Sequence, residues 1–128
     1  MIDQSRKNGW LGEIAAARYL RQQGYTIAGA NYRTRQGEVD IIARRRDMLV
    51  FCEVKARSPH GTSLPREAVG PAKQRRVIAA ALHYMRRCNW KGPVRFDVIE
   101  VLLGPDGASD VHCIENAFTA DAFYPFGV

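Results

Sequence analysis

The stretch GEVDIIARRRDMLVFCEVKAR, residues 37–57, reads as two strands, 37–45 and 48–57, in which ionisable residues stand among Val, Ile and Phe. A two-residue turn at Arg46-Asp47 pairs them as a hairpin, with Asp40 facing Glu53 and Glu38 facing Lys55. Side chains directly opposite on one sheet face have Cβ atoms only about 5 Å apart, where like charges destabilise unless something offsets them. A cation between Asp40 and Glu53 does so. The same alternation puts Val39, Ile41, Ala43, Val50, Cys52 and Val54 on the other face as core, which makes Cys52 a packing residue.

Two carboxylates with Lys55 two residues further along the same face suit metal-assisted phosphodiester hydrolysis. Oxygen ligands favour Mg²⁺ or Mn²⁺, and a bound ion stabilises charge on the phosphate and activates water. The Lys55 ammonium can position that water or stabilise the transition state. Read blandly, Asp40, Glu53 and Lys55 form an ordinary cross-strand ion network. Glu13, on a first helix, either joins the cleft as a further carboxylate or pairs at the helix edge with Arg18. Lys73, with Gln74, Arg75 and Arg76, either holds phosphates at a helix start or forms a solvated basic face.

Working outward, residues 5–23 read as a helix with Trp10, Ile14, Ala17 and Leu20 as its apolar stripe and Gly24 as its stop. A short strand follows at 25–33. After the two central strands comes SPHGTSLPREAVGP, a Gly- and Pro-rich loop containing His60. Pro71 opens a second helix to about residue 88, with Val77, Ala81, Tyr84 and Ile78, Leu82, Met85 as its stripe. Strands at 94–103 and 111–114 close the order α-β-β-β-α-β-β, an α/β (α+β) mixed sheet with helices packed on it. Asp97 is expected to be structural, buttressing a basic residue or Lys55; Tyr32 and Trp90 could stack bases, with packing in the core or its rim the favoured expectation.

The chain has 128 residues, 46% hydrophobic and 25% charged, with a formal net charge of +6. That suits one globular domain. Cys52, Cys88 and Cys113 are odd in number and widely spaced, so neither a disulfide framework nor a zinc site is suggested. No apolar run approaches the length needed to cross a bilayer, and MIDQSRKNGW lacks a signal h-region, so no membrane and a cytoplasmic location are expected. Residues 1–95 carry all 19 basic residues and 7 acidic ones; residues 96–128 carry 6 acidic residues and no basic ones. Arg33, Arg35 and Arg57, with Arg44, Arg45 and Arg46, surround the central strands, while Lys73, Arg75 and Arg76 lie on the second helix. Such a footprint suits a polyanion. No P-loop, dinucleotide fingerprint, G-x-S-x-G or H-E-x-x-H is present.

With G-E at 12–13, N-Y-R at 31–33, G-E-V-D-I-I at 37–42, V-F-C-E-V-K-A-R at 50–57, Lys73 opening a helix and R-F-D-V at 95–98, the chain resembles the YraN family of small bacterial proteins. That family is similar to archaeal Holliday junction resolvases, in the PD-(D/E)xK nuclease-like superfamily. The match spans about 9–101, with Cys52 where Val is more usual. The resemblance implies a restriction-endonuclease-like core in which Asp40 and Glu53 bind the divalent ion and Lys55 assists the attacking water. Glu13 corresponds to the first-helix carboxylate, and Lys73 with Gln74 to the polar start of the next helix. It further implies DNA as partner rather than RNA, branched or flapped DNA as substrate, and a homodimer for symmetric cutting. Two rival expectations stand beside the nuclease: a nucleic-acid-binding module of the same fold without catalysis, and a protein-interaction subunit docking through its acidic segment 104–128, separable by deleting that segment.

Overall fold

The first helix, α1 (Gln4–Gln22), stops at Gly24, whose φ of +90° suits glycine far better than an L side chain. Its turn is closed by Gly24 N–H donating to Arg21 O and Tyr25 N–H to Leu20 O, both at 3.0 Å. The chain then enters β1 (Thr26–Arg33), β2 (Glu38–Arg45) and β3 (Met48–Arg57). In α2 (Pro71–Cys88), Pro71 occupies the first turn, where a missing N–H costs nothing, and Asn89 ends the helix in a left-handed conformation. The last two strands are β4 (Val94–Gly104) and β5 (Gly107–Phe118), followed by a 3₁₀ turn at Ala120–Ala122. The computed structural model describes residues 4–58 and 69–124, without the side chains of residues 4–6, Ser109 and Ala122. His60 and most of the expected 58–71 loop lie outside the described residues.

The element order is the one expected, and the five strands form one mixed sheet in the order β1-β2-β3-β4-β5. All neighbours are antiparallel except β3 and β4, which run parallel because α2 carries the chain between them. One core lies between the sheet and α2, around Ile42, Phe51, Val77, Ile78, Phe96 and Phe118. The other lies between the sheet and α1, around Ala16, Leu20, Ile41, Val50, Cys52 and Ile99. Within the described residues the protein is thus a sheet covered on both faces.

Three expectations are corrected. Of the expected stripe of α1, Leu20 is buried and Ala17 packs against the core, but Trp10 and Ile14 are 54% and 56% exposed, and Gly12 and Ala16 face the sheet in their place. A Cβ on Gly12 would lie 2.7 Å from that of Ala56, so the helix approaches β3 along its line of smallest side chains. Val39 belongs to the α2-side core with Ile42, whereas Ile41 belongs to the α1-side core, so strict alternation fails at Asp40. Opposite Asp40 stands Asn31, whose positive φ of 51° departs from extended strand backbone at this point. Finally, the acidic segment is no detachable appendage. Residues 107–118 form the edge strand β5, which buries Phe118 and supplies partners to Asp97, so deleting 104–128 would cut into the core.

Candidate active site

The hairpin register of β2 and β3 is the expected one, Ile41 with Cys52 and Arg45 with Met48, closed by Arg46-Asp47. Arg46 takes a positive φ of 56° in this tight turn. The ladder ends at Ile41, and the Asp40 carboxylate there accepts the backbone N–H of Val54 at 2.9 Å. That bond fixes the carboxylate toward β3, beside Glu53. Glu53 is 1% exposed and sits on the α2 side, next along the strand from Cys52.

Two close approaches bring the remaining groups in. Gly12 lets α1 press on β3, which sets Glu13 within the field of Asp40 and against Asn31, whose side chain hydrogen-bonds it. At Gly37 any Cβ would fall 1.8 Å from the carbonyl oxygen of Arg76, so the turn after β1 lies directly on the α2 backbone. Thr34 shapes that turn by accepting the N–H groups of Gln36 and Gly37 at 3.2 and 3.1 Å. Glu38 is thereby delivered to α2. Lys73 Nζ bridges Glu38 Oε1 at 3.6 Å and Glu53 Oε2 at 3.4 Å, and Arg33 Nε lies 3.4 Å from Glu38 Oε2. The expected pairing of Glu38 with Lys55 is therefore replaced by Lys73 and Arg33, because the β2–β3 ladder has already ended.

The electrostatics follow from burial. Burial first, and then the negative charge of Asp40, push the Glu53 carboxyl up to about 7, against the opposing pull of Lys73 and Lys55. Burial likewise raises Asp40, opposed by the Val54 N–H and by Lys73. Glu13 is raised by burial and by Asp40. Burial lowers the Lys73 ammonium's affinity for its proton, yet the charges of Glu53 and Asp40 outweigh it and the net direction is upward. Glu53 Oε1 is buried without a hydrogen-bond partner, a costly arrangement for a carboxylate oxygen. Asp40 and Glu53 are the pair that can share a cation. Among the described residues no group of three or more His, Cys, Asp or Glu is arranged to hold one, so waters and substrate oxygens would have to complete the shell, as Mg²⁺ commonly arranges.

The basic residues divide. Arg33 and Arg35 stand exposed at or beside the turn against α2, and Arg76 is exposed on α2 where that turn touches it. Arg57 is half-buried at the end of β3. Of these four, Arg33 reaches a carboxylate of the site, Glu38. Gln74 Nε2 donates to Val69 O at 2.9 Å and ties down the approach to α2. At the other end of the β2–β3 hairpin, Arg44 lies over Trp90 at 4.8 Å and Arg45 over Tyr25 at 4.4 Å. Tyr32 packs edge-on to Tyr84 and bonds His83.

Sequence reasoning left Asn31 without a role. Asn tolerates a left-handed backbone better than most residues, and here that conformation lies opposite Asp40 while the amide holds Glu13. The only signal was an Asn before two large residues in an otherwise regular strand. Cys52 and Cys113 are inert thiols, both raised by burial, Cys113 to about 12.

The family model described as "Uncharacterised protein family UPF0102" matches residues 12–101. A UPF0102 protein of Symbiobacterium thermophilum is 47% identical over 117 residues, covering 91% of this chain and 99% of that protein. One of Syntrophotalea carbinolica is 46% identical over 125 residues, covering 96% and 100%, and one of Syntrophus aciditrophicus 45% identical over 118 residues, covering 91% and 92%. No helix among the described residues is long and apolar enough to cross a membrane.

Proposed function

The chain belongs to the UPF0102 family, and from that premise we propose that it is a divalent-metal-dependent endonuclease that hydrolyses DNA phosphodiester bonds, with branched or flapped DNA as its substrate class. The observation that carries the reading is Glu53: a core-buried carboxylate with an orphaned oxygen, beside the carboxylate of Asp40. Such a group is expensive for a fold that has no use for it.

The donor set fits a hard cation. Asp40 and Glu53 would hold Mg²⁺ or Mn²⁺, which when bound supplies charge stabilisation at the phosphate and lowers the pKa of a water ligand. Asp40 is oriented for this by Val54. Lys55, whose charge already acts on Glu53, positions the attacking water or meets the developing negative charge. Glu13, raised by burial, is suited to hold a proton near the leaving or attacking oxygen. Lys73 neutralises Glu53, and with a cation held by Asp40 and Glu53 its ammonium would be available to a phosphate. Arg33, Arg35, Arg57 and Arg76 bind the flanking backbone.

Lys73 also favours a second reading. Its ammonium already offsets Glu38 and Glu53, as suits a non-catalytic nucleic-acid-binding module. The two readings separate in a cleavage assay with Mg²⁺ or Mn²⁺ on four-way junction, flap, duplex and single-stranded DNA. Cleavage by the wild type, lost in Asp40→Asn and Lys55→Ala, supports the nuclease. Salt-sensitive binding with no cleavage supports the module.

A further inference from the structure

Glu13 stands between the two exposed apolar side chains of α1, three residues after Trp10 and next to Ile14. Two grooves meet at Glu13. One, of about 460 Å³, is lined by Gly9, Trp10, Glu13, Asn31 and Arg33; the other runs past Ile14 to Asp40. Trp10 and Asp40 therefore line neighbouring grooves that have Glu13 in common.

We propose that Trp10 is a stacking platform for an unpaired base of the strand that enters this site. The inference rests on the nucleic-acid part of the proposed function and adds a substrate requirement to it. An indole with more than half its surface in water contributes little to the core and leaves a flat apolar face available. Nothing crowds its neighbour Gly9, where an added Cβ would meet no atom within 4 Å. The rest of the groove is polar. Arg33, three-quarters exposed, can meet a phosphate, while Asn31 and Glu13 offer hydrogen bonds to a base edge. One aromatic face within a ring of polar and charged groups matches a nucleotide better than a protein surface, whose buried centre would be broadly apolar. In a duplex both faces of each base are covered by its neighbours. Only a flap, a single-stranded end or the open centre of a junction presents a free face, and that selects the substrate class.

Trp10 and Trp90 are the chain's two tryptophans, so Trp90→Phe leaves Trp10 as the sole reporter. Its emission is followed at low salt without metal during titration with oligothymidylate and, separately, with a blunt duplex of equal length. Strong quenching by oligothymidylate and little by duplex is expected. Trp10→Ala should weaken filter binding of single-stranded and flapped DNA about tenfold or more, with Trp10→Phe restoring most of it, all variants keeping wild-type far-UV circular dichroism. Unchanged emission together with wild-type binding by Trp10→Ala overturns the stacking role and leaves the proposed function standing. Failure to retain any nucleic acid overturns both. Emission that shifts with protein concentration alone, with a sedimenting dimer lost in Trp10→Ala, assigns the face to a second copy and overturns the proposal.

Discussion

Glu53 and Asp97 are both carboxylates sealed in the core, at 1% and 0% exposure, on the adjacent parallel strands β3 and β4 but on opposite faces of the sheet. Asp97 is fully engaged. Arg95 grips it with Nε at 2.8 Å and a terminal nitrogen at 2.9 Å, Asn116 N–H donates at 3.0 Å, and the Cys113 thiol adds a longer contact. Arg95 is itself held by the Tyr25 hydroxyl at 2.7 Å. Glu53 has Lys73 at 3.4 Å on one oxygen, no N–H or ammonium donor among the described residues on the other and the Asp40 carboxyl beside it, and its carboxyl is pushed up to about 7. Equal burial with unequal satisfaction separates an acid that holds the fold together from one with an oxygen to spare, as the proposed metal site would require.

The largest expected effect tests the Glu53 side. Glu53→Gln and Asp40→Asn should each lower DNA cleavage by about a thousandfold or more while leaving far-UV circular dichroism unchanged; a variant that cleaves normally would remove Glu53 or Asp40 from the chemistry. On the other side, Asp97→Ala strands a half-buried Arg95 and should cost about 3–5 kcal/mol in urea unfolding. If it costs less than Glu53→Gln does, the comparison collapses.

A smaller effect comes from pH. The Glu53 pKa is higher in the folded protein than its ordinary 4.5, so between about 4.5 and 7 the folded state binds the proton more readily than the unfolded chain. Its stabilising contribution is complete below 4.5 and is lost as pH rises through 7. Glu53→Gln should therefore gain stability at pH 8 relative to pH 5 by something on the order of 2 kcal/mol, read from thermal melts at both values. Equal gains at the two pH values would contradict the raised carboxyl. Smallest of all, Tyr25→Phe removes one hydroxyl from Arg95 and should cost about 1 kcal/mol. A loss as large as that of Asp97→Ala would mean that the whole network acts as one unit.

Much of this was legible in the residues. Apolar alternation around Arg46-Asp47 specifies a hairpin register, since a slip by one residue would turn Phe51 and Ile42 away from their core. Pro71 and Gly24 mark helix ends through backbone chemistry that acts locally. β5 was underestimated as 111–114 because Ala108, Asp110, Glu115, Asn116 and Ala117 have little strand propensity; pairing with β4 makes it a strand. At Trp10 and Ile14 the apolar stripe of α1 misleads, because these side chains are more apolar than Gly12 and Ala16, whereas close packing against Ala56 rewards small size. Lys73 was placed among phosphate binders, and only its approach to Glu38 and Glu53 makes it their counterion.

The sequence by itself determined the order of elements, the hairpin, and which ionisable residues had to be reckoned with inside strands. Those features depend on neighbours a few residues apart, where periodicity and turn chemistry act. The tertiary structure alone decided that Asp97 is satisfied and one oxygen of Glu53 is not, that Asn31 holds Glu13, and that Trp10 faces water beside Glu13. Each of these depends on which groups meet across elements far apart in the chain, and burial and hydrogen bonding are set by that meeting.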